Sequence, residues 1–195
     1  MRNGITFTFI VILLLSFTAC DDAGMPAPLS PNGNTPGQVL MSLENAFNDR
    51  DIDILGAALT SDFTFHFDPL DVGYDVGGYI MPDSWSRGDF LAACGNMFEN
   101  AQSIDAEIEF ESVDDPDDGI DEFTAYTILV RLYVEEDEQN DYLAQDPCDF
   151  RFVDRGADGT DNWVISDWWD DFLYGTLESP VHVSLGWILA SYYKP

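Results

Sequence analysis

The side chains that could do chemistry here are two histidines, three cysteines and a large excess of carboxylates, 37 Asp and Glu against 7 Lys and Arg. His66 and His182 stand far apart, and neither belongs to a His-Glu-x-x-His or similar pair, so a catalytic zinc site lacks its ligand spacing. Cys94 and Cys148 form no Cys-x-x-Cys motif, which removes the zinc knuckle and the dithiol redox site. There is no Gly-x-Ser-x-Gly elbow for a serine hydrolase and no Gly-rich Lys loop to cradle phosphate. Two acidic turns, Asp114 to Gly119 and Asp154 to Asp161, fall out of EF-hand register. Pro116 and Gly156 occupy ligand positions, and neither turn has the Glu that closes such a loop. The sequence therefore predicts neither a metal site nor a cofactor.

The charge balance excludes one class of partner. A formal net charge of −30 repels a polyanion, because nucleic-acid binding depends on Lys and Arg neutralising phosphates. Hydrophobic residues make up 46% and aromatics 14%, far more apolar surface than an acidic disordered chain carries, so the charge must coat a packed core. A chain of 195 residues has room for one domain and a processed end.

Residues 1–19 read as that processed end. Arg2 supplies the positive start, Ile5 to Phe17 form an apolar run too short to span a bilayer, and Thr18-Ala19 are the small residues before Cys20. Phe17-Thr18-Ala19-Cys20 resembles a bacterial lipobox, which makes Cys20 the expected lipidation site and places the chain in the bacterial cell envelope, held to a membrane by acyl chains. Residues 20–35, rich in Pro, Gly, Asn and Ser, read as a flexible tether. Residues 36–195 are then the domain. In an oxidising compartment Cys94 and Cys148 are candidates for one disulfide, with two buried thiols as the alternative.

Within the domain, helices come first. Thr35-Pro36-Gly37-Gln38 has the pattern of a capping box with Pro at the first helical position, and Leu40, Leu43 and Phe47 follow at helical spacing, predicting a helix from Pro36 to Asp49. A short helix over Ile52 to Leu59 leads into an aromatic strand, Asp62 to Phe67, ended by Asp68-Pro69. The Gly-rich stretch Val72 to Pro82 reads as a loop. Ser86 to Asp89 opens a third helix whose apolar side includes Phe90, Cys94 and Met97. Strands follow: alternation from Ile104 to Phe110, a run from Phe123 to Val134 apolar on both faces, then Tyr142 to Val153 and Trp163 to Trp169. Pro180 to Pro195 is apolar with hardly a charge and must be covered, by packing back as a strand or helix or by a partner. Helices followed by long strands define an α+β class, helices laid on one face of a curved antiparallel sheet.

This layout resembles the NTF2-like superfamily, the cone fold of SnoaL-type proteins and ketosteroid isomerase. The resemblance is carried by Leu43 to Asp51 running into Leu59 to Phe65, and by Trp163-Val164-Ile165 on the last strand. It is similar in particular to bacterial lipoproteins of this fold in which Trp85-Ser86-Arg87 opens the third helix and Trp168-Trp169-Asp170 closes the sheet. The resemblance implies an open cone that admits a small hydrophobic ligand, with His66, Asp68, Tyr79, Trp85, Tyr126 and Trp168 on elements bordering it. It also implies a catalytic alternative. Asp68-Pro69 stands where ketosteroid isomerases carry their general base, and Asp149 near their second acid; a carboxylate with a raised pKa there abstracts a proton next to a carbonyl. Helix 1, however, offers Ser42-Leu43-Glu44-Asn45 and no Tyr as oxyanion donor. The expected role is a binding module for a small ligand or a protein, with the isomerase and a structural subunit whose cone is filled as alternatives. A homodimer through the open side of the sheet is a further implication of the resemblance alone.

Overall fold

The computed structural model describes residues 35–110, 120–127, 129–137, 140–156, 162–171 and 181–194. The signal segment, Cys20, nearly all of the tether and the turn Asp114 to Gly119 lie outside the described residues. The chain opens with α1 (Pro36–Asn48), begun by the expected capping box: Gln38 N–H donates to Thr35 Oγ1, and Thr35 N–H donates to Gln38 Oε1 at 2.9 Å. Asp51 caps the short α2 (Ile52–Ala57). Between them Arg50 takes the left-handed backbone conformation, φ 55°. Its guanidinium holds it there by donating to the carbonyls of Phe98, Ala101 and Gln102, the orphan acceptors around the end of the third helix.

Strand β1 (Leu59–His66) is followed by a small hairpin of β2 (Asp75–Val76) and β3 (Tyr79–Ile80), then by β4 (Ser84–Ser86) and α3 (Arg87–Asn100), whose capping box is formed by Ser86 and Asp89. The Gly-rich stretch expected as loop is thus partly hairpin, and Gly77 and Gly78 turn it with φ of 61° and 94°. After α3 come β5 (Ser103–Glu109), β6 (Glu122–Tyr126), β7 (Leu129–Asp137), β8 (Asn140–Asp146), β9 (Cys148–Asp154) and β10 (Trp163–Asp170). The tail closes as β11 (Val181–His182) and α4 (Leu185–Tyr192), so the apolar end packs back on the domain.

Two predicted strands are each broken in two. The stretch Phe123 to Val134 divides at Thr127 into β6 and β7, and Tyr142 to Val153 divides at Pro147 into β8 and β9. One half of each stretch, β6 and β9, joins a five-stranded sheet in the order β4-β1-β10-β9-β6; the other halves, β7 and β8, join a four-stranded sheet, β11-β8-β7-β5. Thr127 staples the bend. Its buried hydroxyl donates to the Cys148 carbonyl and accepts from the Cys148 N–H, both at 2.8 Å. We expect Thr127→Val, equal in shape but without the hydroxyl, to lose about 1–3 kcal/mol by stranding the Cys148 N–H, and Thr127→Ser to lose much less; urea unfolding of both variants measures this. The sheet is also not wholly antiparallel: β1 runs parallel to β10, pairing Phe65 with Trp168 and His66 with Trp169.

Candidate functional site

The concave face of the five-stranded sheet and helices α1 and α3 enclose what would be the ligand space. Phe63 and Phe65 of β1, Phe67 just beyond its end, Phe150 and Phe152 of β9 and Trp168 of β10 are buried on the inner side, as alternation along each strand requires. Trp168, 1% exposed, is the hub. Its ring lies 4.7 Å from Phe150, 5.6 Å from Phe90, 5.8 Å from Phe65 and 6.4 Å from Phe47 between centroids. These side chains fill the cone. The cavity left beside Trp168, walled by Phe47, Ile108, Val130 and Leu132 among others, is about 10 Å³, room for a single water. Helix α4 covers the remaining opening with Leu185, Ile188 and Leu189.

The residues named from sequence fall into three places. Trp168 and Trp85 are core. Trp85 donates its indole N–H to the Tyr79 hydroxyl at 2.7 Å, and its ring lies 4.8 Å from Tyr193, so Tyr79 serves the packing of Trp85 and borders no ligand space. His66, Asp149 and Tyr126 stand on the outer face of the five-stranded sheet and not in the cone. Their strand neighbours Phe65, Phe150 and Ala125 take the inward positions, and a period of two sends the next residue out. Asp68 is buried but occupied: Oδ1 accepts from Leu70 N–H at 2.7 Å and its carbonyl accepts from Asp71 N–H, a turn that ends the strand. It does not line the cavity beside Trp168. Cys94 and Cys148 are separate buried thiols on α3 and β9, each enclosed by the core, so the disulfide is not formed. Burial pushes both thiols well above their ordinary range.

Sequence reasoning missed Asp170. At the end of β10 its carboxyl is 3% exposed; Oδ2 accepts from Gly186 N–H at 2.7 Å and Oδ1 has no partner. Gly186 must be glycine for this approach, since a Cβ there would sit 2.5 Å from Phe67 and 3.0 Å from Asp170 Oδ2. Two residues before Gly186, Ser184 caps α4 by accepting from Trp187 N–H and donates its own hydroxyl to Asp71. Burial, with the negative charges of Asp71, Asp146 and Asp68 nearby, pushes Asp170 up to about 8; the Gly186 N–H opposes this and is outweighed. Asp71 is also raised, by its own burial. Among the described residues no group of three or more His, Cys, Asp or Glu is arranged to hold a metal ion. Asp170 and Asp71 together fasten the start of α4, through the Gly186 N–H and the Ser184 hydroxyl.

The outer face carries a different arrangement. His66 lies flat on Trp169, centroids 4.8 Å apart and planes within 6°, and its Nε2 is 3.0 Å from Asp167. Beside them an open groove of about 390 Å³ is walled by Phe67, Pro69, Val72 and Asp83.

No family profile and no curated protein sequence matches the chain. Solved structures do. A conserved protein from Planctomyces limnophilus superposes with a TM-score of 0.51 at 16% identity, over 68% of this chain and 89% of its own. A candidate aromatic ring hydroxylase from Novosphingobium aromaticivorans gives 0.52 at 16% identity, over 73% and 91%. An NTF2-like protein of unknown function from Pseudomonas putida gives 0.51 at 14% identity, over 72% and 85%. The chain has the NTF2-like fold, α+β with a curved sheet. Its structural neighbours include a candidate enzyme and proteins of unknown function, and at these identities the likeness extends to the fold alone. No helix among the described residues is long and apolar enough to cross a membrane.

Proposed function

We propose that the chain is a non-enzymatic binding module of the bacterial cell envelope, exported and held to a membrane through a lipid on Cys20, that engages a protein partner with its surface and keeps its cone filled. The observation that carries this reading is the cavity of about 10 Å³ beside Trp168, too small for any organic ligand. The isomerase alternative requires Asp68 free inside an apolar cavity beside a second donor; Asp68 instead spends its carboxylate on a turn and faces other acids. The anchor rests on the lipobox resemblance at Phe17 to Cys20 and on a tether long enough to lift the domain clear of headgroups that its charge repels.

The test uses the full chain, expressed in bacteria and extracted in detergent. Titration with a β,γ-unsaturated ketosteroid is expected to give neither saturable binding nor isomerisation, and palmitate labelling is expected in the wild type and not in Cys20→Ser. Saturable binding that Asp68→Asn abolishes would return the chain to the isomerase class. A membrane-free, unlabelled wild-type chain would remove the anchor.

A further inference from the structure

The outer face of the five-stranded sheet carries a row of directly opposed aromatic, histidine and acidic residues. Across it, His66 pairs with Trp169, Trp169 with Asp149 and Asp149 with Tyr126, each directly opposite the next on β1, β10, β9 and β6. Directly opposed side chains stand about 5 Å apart at Cβ, so the row is a continuous strip about 14 Å long. His66 stacks on one face of Trp169, and Asp149 stands directly opposite Trp169 on the next strand. Tyr126 is 72% exposed on the far side of the same carboxylate.

The charges on this face are not equivalent. Asp167 is engaged by His66 and by Arg151 at 3.7 Å, Glu122 by Arg151 at 2.5 Å, and Asp62 by Arg155 at 3.7 Å. Asp149 has no cation and no hydrogen-bond donor among the described residues. Its carboxyl is instead raised by partial burial and by Asp171, a charge held in an aromatic setting that repels it. A carboxylate between two aromatic rings matches one chemistry, a guanidinium or ammonium that pairs with the acid while lying over the rings.

We infer that the strip Trp169, Asp149 and Tyr126 is the docking surface for an extended, Arg- or Lys-bearing segment of a partner protein. This rests on the binding-module reading above and names its partner's chemistry. Charge complementarity favours that occupant over a second copy of this chain, which would bring another net charge of −30 and a second unpaired Asp149 to the same face. The groove beside His66 continues the strip with Pro69, Val72 and Asp83, offering apolar contact and one more acid to residues flanking the basic side chain.

The probe is a fluorescein-labelled hexapeptide of alternating Arg and Val, with Glu replacing Arg in its control, titrated into the full chain in neutral detergent and followed by anisotropy. At about 0.15 M salt, where distant charges are screened, the Arg peptide is expected to bind and the Glu peptide not to. Asp149→Asn and Tyr126→Ala are each expected to weaken binding about tenfold, equivalent to about 1.4 kcal/mol, while Glu99→Gln, an exposed acid on α3, leaves it unchanged. Equal losses for Asp149→Asn and Glu99→Gln reduce the attraction to net charge and overturn the inference. So does a wild-type dimer in sedimentation equilibrium that Tyr126→Ala dissociates, since the occupant is then a second copy. A steroid ligand in the cone would overturn the module reading and leave these titrations unmoved, so the two failures are separable.

Discussion

Asp170→Asn is expected to stabilise the protein at pH 8 and to flatten its stability between about pH 4 and pH 8. An Asp in the unfolded chain releases its proton near pH 4, whereas folded Asp170 keeps it up to about 8. In that window the folded state binds a proton that the unfolded state has lost, so stability falls as pH rises, by about 1.4 kcal/mol per unit at the steepest. The contribution is fully present below the unfolded value and lost as pH climbs through the folded one. Asn keeps an oxygen for the Gly186 N–H and never ionises. Its amide also supplies a donor where Oδ1 now has no partner among three neighbouring acids. Urea unfolding at several pH values measures the effect: the difference between variant and wild type should grow from near zero in acid to a few kcal/mol at pH 8. Parallel curves would mean that Asp170 is ionised and solvated.

The second large effect is expected at the hub of the cone. Trp168→Ala removes the ring that touches Phe47, Phe65, Phe90 and Phe150, and should cost about 3–5 kcal/mol. If the surrounding rings do not collapse, the space vacated is dry, apolar and large enough for a small aromatic molecule. Indole should then raise the melting temperature of the variant and not of the wild type, because it binds only the folded variant. Trp168→Leu, closer in volume, guards against a variant that fails to fold. A wild-type chain stabilised by indole would mean that the cone already opens.

Helix starts and strand alternation were legible because each depends on neighbours close in sequence. The Thr35 and Ser86 caps, and the in-and-out pattern of Ile104 to Phe110, needed no knowledge of the rest of the chain. The bend at Thr127 was not legible, since an apolar run reads the same whether it crosses one sheet or passes between two; Pro147, unable to donate to a ladder, was the available signal on the partner strand. His66 was placed toward the cone although Phe63 and Phe65 on the same strand already claimed the inward positions. Asp170 was invisible for a different reason. Its environment is made by Gly186, Asp71 and Asp146, which only the tertiary fold brings near, and an Asp ending a strand carries no local mark.

The parallel ladder between β1 and β10 bears on the order in which the molecule forms. Leu59 meets Ile165 and His66 meets Trp169, partners separated by about half the chain, whereas β7 with β8 and β9 with β10 close through short connections. Loop-closure entropy makes the distant pairing late. The hairpins can therefore assemble, and β1 can pair with the nearby β4, while the β10 side of β1 is still without its partner, and the sheet becomes whole only once nearly all of the domain has been made. Until then that edge of β1 stays open to association, and the carboxylates spread along the sequence act throughout that interval as an electrostatic guard against it.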